Sequence, residues 1–159
     1  MNISIEKLPK FEVGFIRRIG RYDEPQEHWG QLINWALENS LFPPEQSFIG
    51  ISLDNPQFVE PSHCRHDACV TIPEGFEKDR HKNMQFKEID GGLYALFPFY
   101  DVPEQLNSAY QYMYGQWLSS NEEYEADFTR DNLEFNRNNP AEDPDGKCKV
   151  DLFVPIIKK

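Results

Sequence analysis

Little in this chain supports a covalent or metal-built framework. Only three cysteines occur, Cys64, Cys69 and Cys148. Their number is odd and no Cys-x-x-Cys pair is present, so neither a disulfide scaffold nor a zinc knuckle is indicated. No apolar run is long enough to span a bilayer, and the opening Met1-Asn2-Ile3-Ser4-Ile5-Glu6 lacks the apolar stretch of a signal peptide. The expectation is a cytoplasmic protein with no membrane contact. Positive charge is scarce: 16 Lys and Arg stand against 27 Asp and Glu, for a net charge of −11. Such a surface repels phosphate backbones, which argues against direct nucleic-acid binding and favours cationic small molecules or basic protein partners. A Gly-x-Ser-x-Gly elbow, a phosphate loop and a placeable Cys-His pair are all missing. His63-Cys64-Arg65-His66 offers metal-type ligands but has no second cluster, so neither a metal nor a cofactor is expected.

What the 159 residues do hold is aromatic surface, at 14% of the chain. That is more than one domain's core requires, so some rings are candidates for the walls of a binding site. The chain alternates extended and helical patterns. Ile3 to Ile19 reads as a first strand kinked at Pro9. Asp23 or Glu24 can cap a helix, with Pro25 in its first turn, and Trp29, Leu32, Ile33, Ala36 and Leu37 form its apolar stripe. Strands are expected over residues 47–53, 65–72 and 84–89. Asp90-Gly91-Gly92 reads as a hairpin turn into a long apolar strand, Leu93 to Tyr100.

The pattern then recurs. Tyr100-Asp101-Val102-Pro103 repeats the punctuation of Tyr22-Asp23-Glu24-Pro25. Leu106, Ala109, Tyr110, Met113, Trp117 and Leu118 give a second helical stripe. Strands over 128–136 and 147–155 follow. The fold class read from this order is α+β: two pseudo-symmetric strand-helix-strand-strand repeats, about 1–75 and 84–157, within one domain over 1–159, with antiparallel sheets around a central ligand cleft.

The second repeat ends on Leu133-Glu134-Phe135-Asn136 and Lys149-Val150-Asp151-Leu152-Phe153-Val154-Pro155. Alternation sends Leu133 and Phe135 to one face, and Val150, Leu152 and Val154 likewise. The other face then carries Glu134, Asp151 and Phe153. Two carboxylates beside a ring suit a cation. A lone glutamate in an antiparallel strand more often faces solvent, which is the plain alternative.

Five stretches carry a family resemblance: residues 13–22 (Val-Gly-Phe-Ile-Arg-Arg-Ile-Gly-Arg-Tyr), Asp54-Asn55-Pro56, residues 64–73, Ile89-Asp90-Gly91-Gly92-Leu93-Tyr94-Ala95, and Leu133-Glu134-Phe135. In this order they are similar to the GyrI-like small-molecule-binding domains, which are also the effector-binding domains of AraC-type and MerR-type drug-sensing regulators. The likeness covers nearly the whole chain and extends to the free-standing DNA gyrase inhibitors. It implies two strand-helix-strand-strand repeats around a cleft, with an acidic residue of the penultimate strand at the bottom of an aromatic-walled pocket that meets a cationic ligand. Glu134 occupies that position. Asp151-Leu152-Phe153 keeps the acid-x-aromatic pattern of the last strand, whereas Asn136 replaces a usual tyrosine. The expected ligand site is therefore Glu134 as anchor, Asp151 as second anion, Phe153 as stacking wall, and Tyr94, Phe97, Tyr110, Tyr114 and Trp117 as further rings. For Tyr110 and Trp117, core packing is an equal reading.

The resemblance implies a stand-alone module for cationic, lipophilic aromatic molecules. Two alternatives stand beside it: a gyrase inhibitor or other protein-interaction module, and a slow hydrolase of reactive small molecules in the same cleft. About ten residues precede the first long strand, so no DNA-binding domain is expected. The partner would then be gyrase or a transcription regulator.

Overall fold

The computed structural model describes residues 2–159. Its elements are β1 (Ser4–Leu8), β2 (Phe11–Ile19), α1 (His28–Glu38), β3 (Phe48–Ser52), β4 (Arg65–Thr71), β5 (Gln85–Ile89), β6 (Gly92–Asp101), α2 (Leu106–Tyr112), which runs on as a π-helical stretch (Met113–Leu118), β7 (Tyr124–Ala126), β8 (Leu133–Asn136) and β9 (Cys148–Lys158). The class is α+β with antiparallel strand pairs and few helices. The chain divides into two compact units, residues 10–90 and residues 1–9 with 91–159.

In the 10–90 unit the strands are ordered β3-β4-β2-β5. Helix α1 covers the face that carries Ala68 and Val70, and Leu32 and Ala36 are fully buried against them. The expected stripe is rotated. Ile33 and Leu37 are exposed at 38% and 55%, and Trp35 packs inward instead. Gly14 makes the room: a Cβ there would stand 3.2 Å from the Trp35 ring. The helix also starts later than expected, after Glu27 and without a side-chain cap. Asp23 and Glu24 are engaged elsewhere, Asp23 accepting from the Arg21 guanidinium and Glu24 from the Arg21 backbone N–H.

In the other unit the order is β1-β6-β9-β8, with β7 added to β9. Helix α2 and the π-helical stretch bury Ala109, Met113 and Leu118 against Ala95, Phe97, Phe99, Val150, Leu152 and Val154.

Three sequence expectations change. Residues 3–19 are not one kinked strand: β1 pairs with β6, while β2 pairs with β4 and β5. Pro9, with no N–H to give a ladder, marks the crossing between the units. Asp90-Gly91 is not a hairpin, because β5 pairs with β2 and β6 with β1 and β9. Gly92 holds φ +137°, and a Cβ there would lie 2.7 Å from an Arg130 nitrogen, so glycine serves close packing as well as backbone freedom. The penultimate strand begins at Leu133 rather than Phe128. Asp127 breaks it by accepting from the Thr129 backbone N–H and hydroxyl, an Asx turn that leaves the ladder.

Candidate functional site

The β8–β9 register decides which side chains can meet. Leu133 stands opposite Phe153, Glu134 opposite Leu152, Phe135 opposite Asp151 and Asn136 opposite Val150. Directly opposed residues share a face. Glu134 therefore lies with Leu152 and Val150, on the side that α2 covers. Asp151 and Phe153 lie on the opposite side with Leu133 and Phe135. The expected trio of Glu134, Asp151 and Phe153 is thus split. Each strand's alternation was legible in the sequence, but the register between them was not, and an offset of one residue exchanges every side chain between faces.

On the helix side, Glu134 is half-buried. The Tyr110 hydroxyl, one of the α2 rings, donates to its Oε2 over 2.6 Å. Among the described residues, no lysine or arginine pairs with it. Burial raises the Glu134 carboxyl above its ordinary pKa, and the Tyr110 bond pulls the other way without cancelling the rise. The same burial, with the adjacent carboxylate, holds the Tyr110 hydroxyl firmly protonated. The site is a carboxylate in an apolar and aromatic setting with one neutral donor and, among the described residues, no internal cation.

One turn beyond Tyr110 stands Tyr114, whose hydroxyl donates to the Asn132 Oδ1 at 3.0 Å. Its ring lies nearly parallel to that of Phe128, centroids 6.5 Å apart at 13°. Phe128 is 86% exposed. It is held out by a stiff loop: Asp127 accepts from Thr129 and from the Arg130 Nε at 2.8 Å, which drops its pKa to about 2. Arg130 in turn donates to the Leu93 and Ile156 carbonyls, both at 3.0 Å. Sequence reading missed Phe128 because the apolar alternation ran through it. The Asp-x-Thr spacing of 127–129, a turn signal, was the clue to a loop there. Phe97 is 8% exposed and belongs to the core, and Trp117 is partly buried against the same cluster.

The opposite face is already furnished with cations. Arg130 lies over the Tyr94 ring at 4.8 Å, and Arg137 over Phe135 at 5.0 Å. Phe153 touches both rings, edge-on to Tyr94 at 5.9 Å and tilted to Phe135 at 4.9 Å. The Arg137 Nε donates to Asp151 over 2.8 Å. Asp151 is thus paired with a resident guanidinium, and Tyr94 and Phe153 pack on a ladder that arginines cover. Glu134 thus meets Tyr110, Tyr114 one turn on pairs with Phe128, and Tyr94, Asp151 and Phe153 lie on the other side of the ladder.

The model of the GyrI-like small molecule binding domain matches residues 1–157. A SPbeta prophage-derived protein of Bacillus subtilis (strain 168), YosT, named as a candidate transcriptional regulator, is 31% identical over 99 residues, which are 61% of this chain and 64% of that one. The match thus spans under two thirds of the relative's length. Among solved structures, the EcmrR C-terminal domain superposes with a TM-score of 0.73 at 15% identity, covering 99% of this chain and 98% of that one. In the EcmrR–DNA complex the chain covers 58% of the EcmrR chain. SAV2435 bound to tetraphenylphosphonium has a TM-score of 0.66 at 10% identity, covering 99% and 94%. At these identities the structural likeness is one of fold.

Proposed function

Since the chain belongs to the GyrI-like small-molecule-binding family, we propose that it binds a cationic, lipophilic aromatic molecule at Glu134. The observation that carries this reading is the carboxylate itself. It is half-buried, its one side-chain donor is the neutral Tyr110 hydroxyl, and no internal cation pairs with it among the described residues. A buried charge without a counter-charge is costly, and a ligand that brings both positive charge and apolar surface removes the cost. Tyr110 orients the carboxylate, and Tyr114 and Phe128 offer ring faces to an aromatic ligand. Binding of tetraphenylphosphonium by SAV2435, a protein of the same fold, is consistent with this chemistry. We also read the units as repeats of one strand-helix-strand-strand pattern, β2-α1-β3-β4 and β6-α2-β8-β9.

The test is a calorimetric titration of wild type and Glu134→Gln with methyltriphenylphosphonium and the neutral triphenylphosphine oxide. The cation should bind wild type and lose at least tenfold in affinity to the variant, and the oxide should discriminate little between the two. Equal cation affinity for both proteins would remove Glu134 from the role of anchor. Recovery of the ligand after long incubation asks separately whether it is altered.

A further inference from the structure

A cavity of about 270 Å³ lies within the 10–90 unit, lined by Ile16, Trp35, Arg80, His81, Lys82, Asn83 and Met84. None of these seven is acidic, in a chain with 27 Asp and Glu. We propose that this cavity is a second binding site, selective for small planar aromatic carboxylates.

Its apolar wall is fixed in place. Trp35 leans on β2 where Gly14 lacks a Cβ, and packs against Phe76 and Phe86 at 5.9 and 6.1 Å. Ile16 and Met84 complete the wall. A flat ring placed there covers indole surface and removes apolar area from water.

The polar side consists of donors. The Trp35 indole N–H donates to the His81 Nδ1 at 3.3 Å. An Nδ1 that accepts must be unprotonated, so in the neutral ring the proton sits on Nε2 and is a donor. Phe76 backs the same imidazole at 5.1 Å and restrains its orientation. Lys82 supplies a full positive charge, and among the described residues no carboxylate is bonded to it. The Arg80 guanidinium is shared with Glu77, so Lys82 carries the larger part of the attraction. Asn83 adds an amide. Lys78, next along, is committed to Glu12 at 2.5 Å and takes no part. A carboxylate meets one free ammonium, one shared guanidinium and a neutral N–H donor. An ammonium ligand would meet like charge, and a neutral amide would forgo the charge-assisted bonds. The volume is sufficient for a bicyclic ring.

The experiment uses the whole chain and three isosteric probes: 2-naphthoate, 2-naphthamide and 2-naphthylmethylammonium, followed by calorimetry. Naphthoate should bind, with the amide and the ammonium each at least tenfold weaker. Lys82→Glu should lower naphthoate affinity at least tenfold, Arg80→Glu less, and Trp35→Phe should abolish the part of the fluorescence quenching that naphthoate causes. Lys82 and Arg80 are exposed, and unchanged circular dichroism of their variants confirms that the fold is retained. Glu134→Gln should leave naphthoate binding unchanged, so this site and the Glu134 site fail or stand independently. No naphthoate binding up to about millimolar concentration, equal binding of the amide, or indifference to Lys82→Glu would each overturn the proposal.

Discussion

The Tyr110 hydroxyl donates to the Glu134 carboxylate over 2.6 Å, joining α2 to β8 by a bond in which only the acid carries charge. The bond favours the ionised acid, while burial opposes it and prevails. Cation binding needs the ionised form, so affinity should fall as the pH drops through the Glu134 pKa. Tyr110→Phe removes the bond and raises that pKa further. The pH at which affinity for methyltriphenylphosphonium is half lost should move up by about one to two pH units, since a hydrogen bond to a charged group contributes about 1.5–3 kcal/mol. Titrations between pH 4 and 8 read this directly, and an unmoved midpoint would mean that Tyr110 does not tune the acid.

Phe128 is held in solvent by a loop that Asp127 and Arg130 brace from below, and its ring is aligned with Tyr114. Phe128→Ala should therefore leave thermal stability within about 0.5 kcal/mol of wild type, as for an exposed residue. It should weaken binding of triphenylphosphonium ions by about fivefold, the value of one aromatic pair. Affinity for a tetraalkylammonium of similar size should change less. Equal losses for both cations would assign Phe128 to loop structure rather than to ligand stacking.

Asp67 in the other unit is fully buried and accepts from Arg17 at 2.7 and 3.0 Å and from Lys87 at 2.6 Å. Burial pushes its carboxyl up, and the bonds from Arg17 and Lys87 outweigh that and hold it below its usual range. Asp67→Asn keeps the shape but leaves two cations without their counter-charge. Such a change should cost about 3–5 kcal/mol in urea unfolding. A loss under about 1 kcal/mol would show that water takes over the role of the carboxylate.

The His28 Nε2 and His66 Nδ1 lie 2.7 Å apart, and the His28 Nδ1 has no partner among the described residues. Burial lowers both imidazoles, His66 to about 4; the His28 charge adds to the effect at His66, Arg18 adds to it at both, and Asp67 opposes it. A depressed folded-state pKa means that the unfolded chain binds the protons. Stability should then be full above about pH 6.5 and fall as the pH drops towards 4, by about 2 kcal/mol. Glu134, with its pKa raised by burial, works the opposite way, and the depressed carboxylates Asp54, Asp67 and Asp127 lose their contribution only at lower pH. Melting curves at pH 7.5, 5.5 and 4.5 should show the fall, and His66→Gln should flatten it. A wild-type protein equally stable at pH 7.5 and 4.5 would contradict the neutral pair.

Much of the chain could be read residue by residue. The Leu106, Ala109 and Met113 spacing placed a helix, and its buried side is the side that touches Val150 and Leu152. The run 93–100 became the long strand β6. The acid of residues 133–135 could be picked out because Leu133 and Phe135 alternate about it, and it is the side chain that α2 engages. Local chemistry also accounts for what went astray nearby. Asp127 makes an Asx turn where apolar alternation alone predicts a strand, and α1 starts at His28 because Asp23 and Glu24 spend their oxygens on Arg21.

The sequence by itself determined where most helices and strands lie, though not all their ends, because those depend on the period of apolar residues and on turn chemistry within a few positions. It also marked Glu134 as an acid between two apolar neighbours on the penultimate strand. Tertiary structure alone decided which strand pairs with which and in what register. That register set Glu134 against Leu152 and sent Asp151 to Arg137. It placed Phe153 beside Tyr94 and left Phe128 to stand by Tyr114. Strand pairing is a long-range choice made by the summed burial of both faces, and a sheet's two-residue period turns one step of offset into an exchange of every side chain between them.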